Sequence, residues 1–397
     1  MRIGFLFNHD QIHQVAHSLP IAVALVEGGF QGEVIVATTN DRLANEVRRV
    51  AGTLIGSGIQ HLPLAMSPRA KRLSRLLGQF VPAGKLLVYR DNLDFFRSLD
   101  MLVVAEKTSL LLKTRYGLSD LFMVHTRHGA GDRAIGFDKA SAGFDHVLCS
   151  GRKIRQRLIS DAGVAPASIS IVGYPKFDMV RQSGRSHHIA RDRPVTLYNP
   201  HLSPHLSSWY RHGRDVLDVF RRHEDQALIF APHVMLFERP FVFTIDKLTI
   251  DRAGTIDNRY LHGDNIHIDL GSRASTDMSY TMAADIYLGD ASSQVYEFLL
   301  KPRPCIFLNS HGLDWQGNPN FAHWQAGEVI SDPAQLGAAL SRAPALHEEQ
   351  YRVVQERMFA ESFDLDGRPS SERAAAVLAA LADGRRGSAG SRVVAAA

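Results

Sequence analysis

Tyr287-Leu288-Gly289-Asp290-Ala291-Ser292-Ser293 continues through Gln294-Val295-Tyr296-Glu297-Phe298 to Lys301-Pro302-Arg303-Pro304. A short apolar strand ends in Gly-Asp, two serines follow at once, and an amphipathic helix begins, which is the strand–turn–helix grammar of an α/β sheet. The first turn of a helix presents backbone N–H groups without intrahelical partners, and the positive end of the dipole adds to them. The place therefore suits an anion such as a diphosphate. Serines here either cap the helix or turn a hydroxyl toward a ligand, and on these residues alone both readings stand.

Upstream, short apolar runs alternate with helical patterns. The first set of strands is expected at Ile3–Phe7, Glu33–Ala37, Gln60–Leu64, Met101–Ala105, Leu121–His125, His146–Cys149 and Ile169–Val172. Helical patterns fill Asp10–Glu27, Asp41–Val50, Lys85–Arg97 and Lys153–Asp161 between them. The polar stretch Arg181-Gln182-Ser183-Gly184-Arg185-Ser186-His187-His188 reads as a linker. A second set follows at Val195–Asn199, Ala227–Ala231, Ile266–Asp269, Ile286–Gly289 and Cys305–Leu308. Strands alternating with helices imply parallel sheets covered on both faces. The expected fold class is thus α/β, two Rossmann-like domains facing across a cleft, with C-terminal helices. The expected division is 1–185 and 190–343 for the two domains, 344–383 for a helical segment and 384–397 for a disordered tail.

At 397 residues the chain is long for one core, and 45% hydrophobic with 22% charged residues is ordinary for a globular protein. No apolar run reaches the length of a membrane span. The start, Met1-Arg2-Ile3-Gly4-Phe5-Leu6-Phe7-Asn8-His9-Asp10, turns polar too soon for a signal peptide and reads as a first strand. Two cysteines, Cys149 and Cys305, both in apolar runs, give no disulfide framework, and a cytoplasmic location is expected. A net charge of +4 is too small to argue for nucleic acid. Basic charge does gather at Arg69, Lys71, Arg72 and Arg75, among leucines at helical spacing. That segment is either a solvated surface helix or a contact with the anionic inner face of a membrane.

Two further segments carry chemistry. In Val124-His125-Thr126-Arg127-His128-Gly129-Ala130-Gly131-Asp132-Arg133 an expected strand ends in a glycine-bearing loop, where ligands of open α/β sheets gather. His128 has the titration range to take a proton from an attacking alcohol. Gly129 allows close backbone approach, and Arg127 and Arg133 suit phosphate oxygens. In Phe230-Ala231-Pro232-His233-Val234 a second strand ends at His233. Metal use of the 19 histidines has little support. His125 and His128 form only an H-x-x-H spacing, and Pro204 stands between His201 and His205. Asp364-Leu365-Asp366 has the D-x-D pattern of metal-dependent sugar transferases, but it follows both sheets. No metal and no cofactor is expected.

Together these segments resemble the CDP-glycerol glycerophosphotransferase family, the polymerases and primases of teichoic acid synthesis, whose fold is of the GT-B type. The resemblance runs from about Val124 to Arg373. It rests on a strand followed by His128-Gly129, a strand ending at Pro232-His233 where the family has His-Pro, and Ala284-Asp285 followed by Asp290-Ala291-Ser292-Ser293. Asp277 is an upstream acidic match, Glu297 stands where the family has Asp, and Lys301-Pro302 fits as well. Three departures make this a distant member. Ala130-Gly131-Asp132-Arg133 replaces Thr-Pro-Leu-Lys, and Asn199-Pro200-His201-Leu202-Ser203-Pro204 replaces a Pro-Thr-x-Arg loop. The Asp-Gly element before the family's last arginine, here Asp366-Gly367 to Arg373, carries one extra residue.

The resemblance implies a transferase of a polyol phosphate such as glycerol phosphate, from a CDP-linked donor to a hydroxyl of a lipid-linked or glycan acceptor. It implies His128 as general base, with His233, Asp290, Ser292, Ser293, Glu297 and Arg373 around the donor diphosphate. The alternative on the same frame is a glycosyltransferase using a sugar nucleotide for capsule or lipopolysaccharide.

Overall fold

Apolar runs become strands that are covered on both faces, as Ile3, Phe5, Leu6 and Phe7 illustrate by all being buried. A computed structural model describes residues 1–8, 12–70, 72, 83–127, 129–180, 192–238, 241–244 and 249–394. These divide into two units. Unit 1 comprises Met1–His128, Phe137–Gln182 and Phe363–Ala397, and unit 2 comprises Gly129–Gly136 and Ser183–Ser362.

Unit 1 holds a seven-stranded sheet of β1 (Arg2–Phe7), β2 (Glu33–Thr38), β3 (Ile59–Pro63), β4 (Met101–Val104), β5 (Phe122–His125), β6 (His146–Cys149) and β7 (Ile169–Ile171). The order is β3-β2-β1-β4-β5-β6-β7 and every pairing is parallel. The order reverses between β1 and β4, the switch point of a doubly wound sheet.

Unit 2 repeats the plan with β8 (Val195–Asn199), β9 (Ala227–Phe230), β12 (Ile266–Ile268), β13 (Ile286–Gly289), β14 (Cys305–Leu308) and β15 (Glu328–Ile330) in the order β12-β9-β8-β13-β14-β15, again all parallel. Its switch point lies between β8 and β13. Between β9 and β12 an antiparallel hairpin is inserted, β10 (Val242–Thr244) with β11 (Thr249–Asp251). Tyr198, Phe230, Trp209, Leu228, Ile306 and Leu336 lie in its core.

Every expected strand is present within a residue of its expected bounds. The hairpin and β15 are additions, each strand only three residues long. The chain divides between Gln182 and Ser183 within the expected linker, whose residues 181–191 lie outside the described residues.

The C-terminal part differs from the expectation. The helix Arg352–Ser362 belongs to unit 2, whereas the helix Ser370–Val394 belongs to unit 1. The reason is local chemistry. The Asp178 carboxylate accepts the N–H groups of Ser370 (3.1 Å) and Ser371 (2.7 Å), capping that helix from 192 residues away. Gly173, at φ +82°, makes room for it, since a Cβ there would stand 2.3 Å from Ser370 Oγ. Ala374, Ala375, Leu378 and Ala382 then join the core of Val15, Leu19 and Ala22.

The tail expected to be disordered from 384 is helical as far as Val394. Arg385 lies over the Phe122 ring and donates to the Asp120 carbonyl, and Arg386 lies over Phe30 and donates to the Gln31 carbonyl. These contacts carry the helix past Gly384. Arg69 and Arg72 are exposed, while Lys71 and Arg75 lie outside the described residues. Among the described residues no helix is long and apolar enough to cross a membrane.

Candidate functional site

The turn after β13 sits at the switch point of unit 2, beside the end of β8, where Gly289 pairs with Asn199. Asp290 is 1% exposed. One oxygen accepts the N–H groups of His201 (2.9 Å) and Ala291 (2.7 Å). The other accepts the Ser208 N–H (2.6 Å) and hydroxyl (2.9 Å). Burial pushes this carboxyl up to about 6, against the pull of those donors. Both oxygens are engaged inside unit 2, so Asp290 acts as a brace for the loop after β8.

The two serines diverge. Ser292 is buried and donates to Asn199 Oδ1 (2.7 Å), while Asn199 Nδ2 donates to the Ala231 carbonyl (2.6 Å). Ser293 is exposed and opens the short helix Gln294–Phe298 with no side-chain cap bond of its own. Glu297 is buried in that helix.

Against Ser293 lies the glycine loop. A Cβ on Gly131 would meet Ser293 Cβ at 2.7 Å, and one on Gly129 would meet Ser293 Oγ at 3.9 Å. Only glycine allows so close an approach at 131. The next residue, Asp132, is 3% exposed and fastens the loop. Its Oδ2 accepts from Tyr296 hydroxyl (2.7 Å), His323 N–H (3.0 Å) and His323 Nδ1 (3.0 Å). His323 Nε2 lies 3.0 Å from the Asp290 carbonyl oxygen, which accepts the Trp324 indole N–H (2.8 Å). One buried network therefore runs from the glycine loop through His323 to the turn after β13.

Arg133 follows Asp132, and its Nη1 stands 3.2 Å from His201 Nε2. His201 Nδ1 accepts the Ser203 N–H at 2.9 Å. The rings of His201 and His233 are 6.1 Å apart, and the His233 N–H donates to the Pro200 carbonyl (3.0 Å), tying the loops after β8 and β9 together. Burial lowers the His233 imidazole to about 4, and burial with the nearby Arg133 and His233 lowers His201 well below the ordinary value. His233 Nδ1 accepts the Met235 N–H (3.3 Å), so in the neutral ring the proton sits on Nε2.

These shifts make stability pH-dependent. In the unfolded chain both histidines titrate near about 6.5. Their contribution is complete above that value and is lost as pH falls toward the folded value, about 4 for His233. Asp290 works the other way: its contribution is present below its unfolded value and is lost as pH rises through about 6. His233→Gln is therefore expected to shrink the rise in urea midpoint between about pH 4.5 and about pH 7 relative to the unsubstituted protein. An unchanged rise would remove His233 as its source.

Of the residues singled out from sequence, unit 2 brings together Gly129, Arg133, His233, Asp290, Ser292, Ser293 and Glu297. Arg127 belongs to unit 1, where its guanidinium lies 4.5 Å from the Phe137 ring centre and its backbone takes φ +44°. His128 lies outside the described residues. Arg373 also belongs to unit 1 and is bound to the Asp364 carboxylate (2.9 Å) and near that of Asp366 (3.5 Å). The D-x-D acids thus hold an arginine. His125 stacks on Phe144 and bonds through Nε2 to the Ala105 carbonyl (3.1 Å).

Sequence reasoning missed Asp132, Asn199, His201, Tyr296 and His323 as site residues. Asp132 and Tyr296 stood in quoted segments without an assigned role, and His323 carries no motif.

No family model matches the chain, and no curated protein matches it. Solved structures do. One variant of the wall teichoic acid polymerase TagF superposes with a TM-score of 0.60 at 12% identity, covering 96% of this chain and 88% of that one. A putative UDP-N-acetylglucosamine 2-epimerase from Listeria monocytogenes gives 0.58 at 14%, covering 94% and 93%. S. aureus MnaA with UDP gives 0.57 at 15%, covering 94% of each chain. With its two parallel sheets of seven and six strands, the chain has the α/β fold of GT-B type that these enzymes share.

Proposed function

We propose that this chain is a transferase that moves a polyol phosphate of the glycerol-phosphate type from a CDP-activated donor to a hydroxyl of a cell-envelope glycan or lipid-linked acceptor. The observation that carries the reading is the turn Asp290–Ser293 at the switch point of unit 2, closely approached by Gly131 and neighboured by Arg133, His201 and His233. The likeness of fold to TagF and the sequence resemblance support the same class of donor.

In this mechanism the acceptor oxygen attacks the β-phosphorus, and a new P–O bond forms. The bond from that phosphorus to the bridging oxygen breaks, its electron pair goes to the departing CMP, and the acceptor proton goes to His128. Ser293, His233 through Nε2–H, and Arg133 stabilise the diphosphate as charge moves to the nucleotide. Ser292, Asp290 and Glu297 hold the turn, and Arg373 braces unit 1. These donors do the work a metal would otherwise do. The enzyme acts at the cytoplasmic face of the membrane, with Arg69, Lys71, Arg72 and Arg75 as its contact with anionic lipid.

A second reading is a glycosyltransferase that uses a sugar nucleotide, favoured by the likeness of fold to S. aureus MnaA with UDP. Melting temperature measured with CDP-glycerol, CDP-ribitol, CMP-sugars and UDP-sugars separates the two. At about 100-fold saturation a true donor adds roughly 2.7 kcal/mol of stability. CDP-glycerol is expected to give the largest rise. A rise with UDP-sugars alone, without CDP-glycerol, would replace the first reading by the second.

A further inference from the structure

Unit 1 has a switch point of its own, between β1 and β4, and open α/β sheets take ligands in the crevice at such a place. Because β1, β4 and β5 are parallel neighbours, the chain leaves all three at the same edge of the sheet. Asn8 follows β1, Thr108 and Ser109 stand in the turn Lys107–Leu110 after β4, and in sequence His128 comes three residues after the end of β5.

The polar groups at that edge are buried and incompletely paired. Asn8 is 3% exposed, and Ser109 and Tyr89 are fully buried. Tyr89 reaches the edge from the helix Ala83–Asp91. Asn8 Nδ2 donates to the Tyr89 hydroxyl (2.5 Å), and the hydroxyls of Tyr89 and Ser109 share a hydrogen bond (3.1 Å). Asn8 Oδ1 and the Thr108 hydroxyl are enclosed, and neither has a hydrogen-bond partner among the described residues. Exchanging the amide oxygen and nitrogen of Asn8 leaves Nδ2 unpaired instead, so one end of the amide lacks a partner in either orientation. Thr108 lies close enough to steady the Tyr89 hydroxyl, without the geometry of an ordinary bond. Thr108 is partly exposed, so the cluster reaches the surface on its side. Buried polar atoms are costly to leave unpaired, and two of them beside one tyrosine hydroxyl call for a partner from outside the chain.

The cluster also says what kind of partner. It consists of one amide and three hydroxyls, all neutral. Burial above all, with the Glu106 charge adding to it, keeps Tyr89 protonated. That negative field disfavours an anion, and the neighbouring Lys107 ammonium is paired with the Asp138 carboxylate (3.0 Å). An amide oxygen needs a donor, whereas a threonine hydroxyl both gives and accepts. Adjacent hydroxyls on one ligand meet both needs.

We propose that Asn8 and Thr108, held in place by Tyr89 and Ser109, bind adjacent hydroxyls of a neutral polyhydroxylated group, the part of the acceptor that carries the attacking oxygen. The inference rests on the transferase reading above and adds to it a recognition site for the acceptor in unit 1. One ligand hydroxyl donates to Asn8 Oδ1, and its neighbour exchanges a hydrogen bond with Thr108 Oγ1. An open-chain polyol and a sugar ring share this chemistry.

Saturation-transfer NMR titration of the full chain with ribitol, and separately with methyl glucoside, tests the site. Thr108→Val and Asn8→Leu keep the approximate shape of each side chain and remove its polar atoms. Each is expected to weaken binding of the probe about 5-fold or more, the loss of one neutral hydrogen bond. The melting temperature of Thr108→Val without ligand should be unchanged or higher, because the hydroxyl it removes has no partner within the chain. Calorimetric binding of CDP and pyrophosphate should stay at full strength in both variants. If Asn8→Leu misfolds through loss of its bond to Tyr89, Thr108→Val carries the comparison.

A response to ribitol alone identifies an open-chain polyol and one to methyl glucoside alone a sugar ring; either keeps the site. Undiminished probe binding in folded Thr108→Val and Asn8→Leu, or no binding of either probe to the unsubstituted protein, would overturn the site and leave the donor reading to its own test. A melting temperature several degrees lower in Thr108→Val would make its hydroxyl a structural group and also overturn the site. Probe binding that depends on both residues, with no binding of any nucleotide, would keep the site and overturn the transferase reading.

Discussion

Asp132→Ala is expected to lower the melting temperature by roughly 10 °C and to depress turnover about 100-fold in the protein that remains folded. Asp132 is nearly inaccessible, and one of its oxygens receives the Tyr296 hydroxyl and two donors from His323. Truncation leaves those donors in a buried space, where each unpaired group costs about 1–3 kcal/mol. Partial relaxation of the three stranded donors brings the total to about 3–5 kcal/mol. Turnover falls because Gly131 and Arg133 flank the lost anchor, and a small displacement of groups proposed to hold a reacting phosphate is costly. Asp132→Asn keeps one acceptor oxygen and should recover part of the stability. The checks are a thermal melt and steady-state kinetics at 25 °C, roughly the temperature to which these free energies apply. A melting temperature within a degree or two of the unsubstituted protein would show that Asp132 does not anchor the loop.

The strands of both sheets were legible because each is a short apolar run bounded by turns, and burial on both faces requires that composition. β15 and the hairpin were not, since three residues such as Glu328-Val329-Ile330 carry no period to read. The association of the Ser370–Val394 helix with unit 1 was equally hidden. It depends on Asp178 reaching Ser370 and Ser371, a pairing across 192 residues that no local pattern encodes.

The site divides in the same way. The turn Asp290–Ser293 and the loop Gly129–Arg133 announce themselves through glycine, serine and their place after strands. Which serine faces outward was not readable, because Asn199 at the end of another strand claims the Ser292 hydroxyl. Asp290 looked like a ligand group from its neighbours in sequence, and became a brace because the loop after β8 presents the N–H groups of His201 and Ser208 to it. His323, 191 residues from Asp132, entered the network only through the fold.

His128→Ala is expected to lower kcat about 100- to 10,000-fold, the usual contribution of a positioned general base, while leaving donor binding close to that of the unsubstituted protein. His128 immediately precedes Gly129, where the chain passes from unit 1 to unit 2, and Asp132 four residues later is fastened inside unit 2. The groups proposed to hold the diphosphate are Arg133, His233 and Ser293, all in unit 2, so removing the imidazole at 128 leaves them in place. The loss should therefore fall on kcat and not on the affinity for CDP or pyrophosphate, the pattern of an interaction made only in the transition state. The pH profile supplies a second readout. A base must be unprotonated to act, so the unsubstituted enzyme should gain activity as pH rises through the titration of the base and then level off. In His128→Ala that limb should vanish, with the residual rate following hydroxide instead. A variant that keeps the limb, or that keeps kcat within tenfold, would assign the proton to another group. Loss of CDP binding in the variant would mean that His128 belongs with the diphosphate ligands.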